Sequence, residues 1–338
     1  MPEGAAFCAS CGNPIGGGAP KAAPAAGASP TPHAAGTGYA VAKKKPPVVP
    51  IVVAVVVIVA VVAAIVTGGF GLLGGSGVSP KGSVEEYTWS ELSAISDEIG
   101  KASDENAAID IAKKYHLVND DGTLDGTQRK SVTLSDGTQT SVQIAGFAHD
   151  DKSDGSGKAG ITFVFTDAIA VHSMNLSDSN AGGWEASEMR SWLASDGKAL
   201  LPQDLQSELV SVDKMTNNTG ETQDASSVTT TSDELWLLSL KELGGDISES
   251  DFSPGYEYCA EIYNAEGSQY KLFHDQHVDI FNSNGILTKN YEGLPCIWWM
   301  RSPCPLSSDY FHYMFSNGYL YVGYLASFIY AVVPGFCI

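Results

Sequence analysis

Residues 298–338 read WWMRSPCPLSSDYFHYMFSNGYLYVGYLASFIYAVVPGFCI. Two apolar, proline-marked ends, Trp298-Trp299-Met300-Arg301-Ser302-Pro303 and Val333-Pro334-Gly335-Phe336-Cys337-Ile338, bracket a segment of different character. From Ser307 to Tyr330 there are six Tyr and three Phe, but no Lys, Glu, Gln, Trp or Thr. Tyr offers a large amphipathic contact with little side-chain entropy to lose, and Ser, Gly and Asn add adaptable hydrogen bonding. That composition suits a binding loop better than an active site. The alternative is a set of alternating core positions in the last strands, with Asn317-Gly318 as an ordinary hairpin turn. Nine aromatics in 24 residues without a clear period fit the alternative less well.

Working upstream, mixed helical and strand patterns predict one α+β domain over residues 84–338. Thr88 with Glu91 forms a capping box ahead of Trp89, Leu92, Ile95 and Ile99 on one helical face. Asp104 caps a second helix carrying Ile109, Ala112 and Tyr115 or His116. Val132 and Leu134, Asp136-Gly137, then Val142 and Ile144 predict a hairpin, and Ile161, Phe163 and Phe165 a half-buried strand. A short helix over 182–193 turns Trp184, Met189 and Trp192 inward, and Pro202 opens another that runs to Val210. Leu235 to Leu240 predicts a buried strand.

The first 83 residues differ in kind. Residues 16–47 are an Ala/Gly/Pro-rich linker with too few large apolar side chains to fold. Val48 to Val66 is almost entirely Val, Ile and Ala, which at about 1.5 Å per residue spans roughly 28 Å and predicts a single transmembrane helix. A signal peptide, the competing explanation, has a shorter apolar region nearer the start. Lys43-Lys44-Lys45 precede the span, so the expectation is a single-pass cell-membrane protein, N-terminus cytoplasmic and C-terminal domain extracellular. Residues 67–83 read as a Gly/Ser linker. Of 19 basic and 39 acidic residues, four Lys and one Glu fall in 1–66, leaving 15 basic against 38 acidic beyond. Such an acidic domain argues against nucleic acid or anionic lipid as partner. Cys259, Cys296, Cys304 and Cys337 allow three disulfide pairings, or none.

Phe7-Cys8-Ala9-Ser10-Cys11-Gly12 has the C-x-x-C-G form of a zinc knuckle within residues 1–15. Structural zinc takes four ligands, so Cys8 and Cys11 supply half a site. The run resembles the second half of the short bacterial zinc ribbons that precede membrane spans. An upstream start, a degenerate ribbon, or a site shared between two chains would each account for the missing half.

The motifs G-G-W-x-x-S-x-M-R-S-W-L at 182–193, W-L-L-S at 236–239, W-W-M-R-S-P at 298–303 and V-P-G-F-C-I at 333–338 resemble an uncharacterised bacterial surface-domain family. That family is similar to the C-type-lectin-like fold, including its formylglycine-generating-enzyme branch. The resemblance implies a C-type-lectin-like domain over most of 84–338, whose final strands and loops form a ligand face. A subset of such domains is similar to variable proteins diversified by retroelements. There, randomised Asn codons give fifteen residue types but never Lys, Glu, Gln, Met or Trp. Between Ser307 and Tyr330 only Met314 falls outside that set.

The variable ligand-binding segment is therefore placed at 304–330. Asp309, Tyr310, His312, Tyr313, Phe315, Tyr319, Tyr321, Tyr324, Phe328 and Tyr330 are expected to face an extracellular protein or cell-surface ligand. Phe311, Met314, Ser316, Gly318 and Ala326 are expected to be framework. A formylglycine-generating-type oxidoreductase using Cys296 or Cys304, and a membrane sensor with a cytoplasmic ribbon, are the alternatives. No His, Cys and carboxylate cluster has catalytic spacing, so no enzyme activity is expected. The acidic turns at 119–122 and 150–155 miss the calcium-loop register, and calcium-lectin sugar signatures are absent, so neither ligand is assigned. Zinc at the knuckle is the one cofactor in question.

Overall fold

A computed structural model describes residues 76–279 and 281–338. Helix α1 (Trp89–Ile99) starts where the sequence placed it: Thr88 accepts the Glu91 N–H while the Glu91 side chain takes the Thr88 N–H. Its buried side chains are Trp89, Leu92, Ile95, Ser96 and Ile99. Helix α2 (Glu105–Lys114) is capped by Asp104, which accepts the Ala107 N–H. The short helices that follow are α3 (Glu188–Trp192), α4 (Gln203–Gln206), α5 (Leu240–Gly244), α6 (Tyr258–Asn264) and α7 (Lys271–Asp275).

The strands, in chain order, are β1 (Arg129–Thr133), β2 (Gln139–Phe147), β3 (Ile161–Phe165), β4 (Ala170–His172), β5 (Val212–Asn217), β6 (Val228–Asp233) and β7 (Leu235–Leu237). They continue as β8 (Lys289–Tyr291), β9 (Leu294–Cys296), β10 (Trp298–Pro303), β11 (Tyr310–Met314), β12 (Leu320–Leu325), β13 (Tyr330–Val332) and β14 (Pro334–Cys337). Two five-stranded sheets result, ordered β1-β2-β3-β14-β7 and β12-β11-β10-β13-β4, with β5-β6 and β8-β9 as separate hairpins. The first is antiparallel throughout; in the second, β10 and β13 run parallel.

One residue, Val333, separates β13 from β14, so the chain passes from the second sheet to an inner strand of the first, between β3 and β7, within the V-P-G-F-C-I motif. Pro334 is tolerated there because it is the first residue of its strand. Phe336 then stacks on Phe163 at 5.5 Å, and Trp89 of α1 meets Phe163 edge-on at 5.6 Å. Ser96 ties helix to sheet twice, donating to the Ile338 carbonyl and accepting the Ile161 N–H.

Several expectations need correction. All five positions of β3 are buried, not alternate ones, because α1 covers one face and a buried polar layer around Asp150 the other. The Pro202 helix is one turn, Gln203–Gln206, and stops well short of Val210. The 182–193 helix is confined to Glu188–Trp192, followed by a wider turn over Leu193–Gly197. Strand β7 ends at Leu237 because Ser239 caps α5. Ser76, read as linker, is fixed to the domain through Glu98 and Tyr115. The transmembrane expectation is corrected most directly. Among the described residues no helix is long and apolar enough to cross a membrane, and the single-pass cell-membrane localisation built on that expectation is withdrawn with it. The Val48–Val66 run, the 16–47 linker and the Cys8/Cys11 knuckle lie outside the described residues.

Candidate functional site

The Tyr-rich segment folds as a hairpin of β11 and β12. Tyr310 pairs with Leu325, Phe311 with Tyr324, Tyr313 with Tyr321 and Met314 with Leu320, with an irregular step between Phe311 and Tyr313. The turn closes where Phe315 N–H donates to Tyr319 O at 2.9 Å. Gly318 sits there at φ +76°, and a β-carbon on it would lie 2.1 Å from the Asn284 carbonyl oxygen, so no other residue fits.

One face of this second sheet gathers an aromatic cluster. Trp299 on β10 lies at its base, fully buried, with Tyr330 at 4.9 Å and Tyr313 at 6.3 Å between ring centres. Tyr324 and Phe328 meet edge-on at 4.5 Å and complete the rim, 6.0 and 6.2 Å from Tyr330. Edge-to-face and tilted pairs at these distances are attractive beyond the area they bury. Phe328 is 41 % exposed and Ile329 65 %, whereas Tyr313 is buried. Burial pushes the Tyr330 hydroxyl up to about 12, so it stays a neutral donor and acceptor. Alongside, Trp299 Nε1 donates to the His172 carbonyl, and the His172 ring stacks on Trp192 at 5.0 Å.

The ten residues expected to face ligand thus divide. Tyr313, Tyr324, Phe328 and Tyr330 share the cluster. Tyr321 pairs with Tyr313 in the ladder; its side chain is outside the described part. Phe315 and Tyr319 are exposed at the hairpin tip, 38 and 39 %. Tyr310 is half-buried, and Asp309 binds its own turn through Ser307 and Ser308. His312 is buried; its Nε2 lies 2.6 Å from the Tyr263 hydroxyl, beside a mostly apolar cavity of about 290 Å³. The framework positions Phe311, Met314 and Ala326 are fully buried.

The sequence motifs converge on a buried charge network. Arg301 of W-W-M-R-S-P donates to both oxygens of Glu242, which caps α5 with Ser239. Lys214 on β5 bridges Glu242 to Asp150, and Tyr270 donates to Asp150 at 3.1 Å. Asp150 is held well below the usual carboxylate range: Lys214 and the other donors around it outweigh its burial. Glu242 is likewise lowered, as Arg301 and Lys214 outweigh desolvation. Glu266 goes the other way. Burial pushes it to about 7, and it accepts from Ser302 Oγ and from the Asn217 N–H. Trp184 and Arg190 of the 182–193 motif both donate to Asp233.

Residues 159–338, which supply every strand of the second sheet, match the family model described as Domain of unknown function (DUF6273). The match covers more than half of the chain. The chain belongs to the DUF6273 family. No curated protein and no solved structure matches it. The DUF6273 stretch does not close its own sheet here, because β1 and β2 precede it and pair onto β3. Its cysteines are free thiols. Burial pushes Cys259 to about 12 and Cys296 to about 11, and it raises Cys304. Among the described residues no group of three His, Cys, Asp or Glu side chains is arranged to hold a metal ion.

Proposed function

We propose that this DUF6273 domain is a binding module of the variable, retroelement-diversified type, with a protein surface as its ligand. The contact surface is the aromatic face formed by Tyr324, Phe328 and Tyr330 over Trp299, extended by Phe315 and Tyr319 at the hairpin tip. The observation that carries this is the sorting of the Tyr-rich segment. Phe311, Met314 and Ala326 are buried, while Phe315, Tyr319 and Phe328 are exposed, a division that supports a fixed frame carrying replaceable contact positions. Aromatic anchors that are half-packed in the free protein contribute affinity at little ordering cost. The thiols support this over a cysteine-based oxidoreductase, since half-buried Cys296 at the end of β9 and buried Cys304 beyond β10 both have pKa values raised by desolvation.

Sequencing this gene and its neighbouring DNA from several isolates tests the proposal. The expected result is variation concentrated at 304–330, sparing Phe311, Met314, Gly318 and Ala326, beside a near-repeat of the 3′ coding end and a reverse transcriptase. Variation spread evenly over 159–338 would overturn it.

A further inference from the structure

We propose that Ser268, His149 and Asp150 form a second, catalytic site that hydrolyses short-chain carboxylic esters. It shares no residue with the aromatic face and does not depend on it. Ser268 and His149 are 119 positions apart in the chain, yet Ser268 Oγ lies 2.9 Å from His149 Nε2. The other ring nitrogen, Nδ1, lies 3.4 Å from Asp150 Oδ1. This is the order hydroxyl, imidazole, carboxylate that converts a serine into a nucleophile.

The carboxylate is held rigidly. Lys214 donates to it at 2.6 Å, Thr162 at 2.7 Å and Tyr270 at 3.1 Å, all from buried positions. The His149 ring packs on Tyr270 at 4.3 Å, which fixes its plane. Ala148 turns the chain out of β2 at φ +46°, a left-handed conformation unfavourable for a residue with a β-carbon. Backbone held in that region by its surroundings clusters at functional sites.

Both reacting groups open into a cavity of about 510 Å³, bordered by Gly146, Phe147, Ile109 and Gln269. Among the described residues the N–H groups of Ser268 and Gln269 donate to no backbone carbonyl. The residue after a nucleophilic serine is where acyl-transfer sites place a donor for the oxyanion. Glu105, Asp275, Lys271 and His274 also line the cavity. Lys271 is already paired with Asp275 at 2.9 Å, so the lining offers no spare lysine to a phosphate ester, while Phe147 and Ile109 offer apolar surface to a short acyl chain.

The steps balance with water as the only co-reactant. Ser268 Oγ bonds to the ester carbonyl carbon as its proton passes to Nε2. The carbon–alkoxy bond then breaks, and the leaving alkoxide takes that proton and departs as an alcohol. Water adds to the acyl-serine, giving its proton to Nε2. The bond from carbon to Oγ breaks, Oγ recovers the proton, and the carboxylic acid leaves.

The test uses the full-length chain with p-nitrophenyl acetate, and separately with a fluorophosphonate probe followed by peptide mass spectrometry. The expected results are probe on Ser268, and a loss of about 100-fold or more in kcat/KM for Ser268→Ala and for His149→Ala. Ser268 is exposed, so Ser268→Ala keeps the wild-type melting curve and separates lost chemistry from lost folding. Absence of label at Ser268, or an unchanged rate in Ser268→Ala, overturns the proposal.

Discussion

Arg301 on β10 and Glu242 on α5 form a two-pronged ion pair in which neither side chain reaches solvent. The planar guanidinium fits both carboxylate oxygens at once, and its remaining donors reach Thr216 Oγ1, the Leu237 carbonyl and the Met215 carbonyl. One side chain therefore joins β10, β5, β7 and α5. Removing it leaves Glu242 charged and buried, with Lys214 as its remaining cationic partner beside the Ser239 N–H. Arg301→Met is expected to destabilise the domain by about 3–5 kcal/mol, and Arg301→Lys to recover only part of that, because a point charge cannot reproduce the fork. Urea unfolding followed by tryptophan fluorescence measures both.

The same network sets a pH response with two separate windows. Glu266 is raised from its ordinary value of 4.5 to about 7, so the folded state holds a proton that the unfolded chain releases. Stability therefore falls as pH rises from about 4.5 to about 7, by on the order of 1.4 kcal/mol per unit while only the unfolded form ionises. Glu266→Gln removes this group from the titration and is expected to flatten the melting temperature over that window. Asp150 and Glu242 act oppositely. Both are lowered, so their contribution is present above the ordinary carboxylate range and is lost as acid protonates them. Melting curves of wild type and Glu266→Gln from pH 4 to 8 compare the slopes directly, and equal slopes would refute the assignment.

How much of this was legible follows from the range of each interaction. The start of α1, its buried face and the β1–β2 hairpin depend on neighbours within a few residues, and the spacing of Thr88, Glu91, Trp89 and Leu92 carries them. The network does not show, because Lys214 and Asp150 are 64 positions apart and each alone looks like a surface charge. A trace is present in Ser239-x-x-Glu242, whose capping-box spacing marks Glu242 as held. As a polar residue among tyrosines, His312 is expected at the ligand face. The irregular pairing between Phe311 and Tyr313 breaks the two-residue alternation and leaves it buried against Tyr263. Trp299 reads as part of the framework flank, and only the parallel pairing of β10 with β13 brings Tyr330 over it.

Frame and contact positions in the Tyr-rich hairpin should differ sharply in energetic cost. Phe311 is fully buried, so Phe311→Ala is expected to cost about 3–5 kcal/mol, and Met314→Ala about 2–5 kcal/mol. Phe328 is 41 % exposed and touches only the rim of the cluster, so Phe328→Ser is expected to cost about 1 kcal/mol or less. Chemical unfolding of the three variants gives the comparison. A Phe328→Ser penalty as large as that of Phe311→Ala would show that the rim is core, and would remove the basis for replaceable contacts.

Gly318 fixes how the hairpin tip presents Phe315 and Tyr319. Its N–H donates to the Phe315 carbonyl at 2.9 Å, and its own carbonyl accepts the Asn284 N–H at 3.4 Å. The tip is therefore tied to the loop ahead of β8 as well as to itself. At φ +76° a β-carbon is strained even in open space, and here it would also meet Asn284 backbone, which cannot swing aside as a side chain can. Gly318→Ala is expected to cost about 1–3 kcal/mol, more than the entropy gained by restricting the unfolded chain returns. Gly137, at φ +90° in the β1–β2 turn, is the matched control, since a β-carbon there would meet nothing within 4 Å. Gly137→Ala carries the conformational strain without the collision, so the difference between the two melting temperatures isolates the contact with Asn284. Equal losses would mean that the tip is free of that loop and that Phe315 and Tyr319 are positioned by the turn alone.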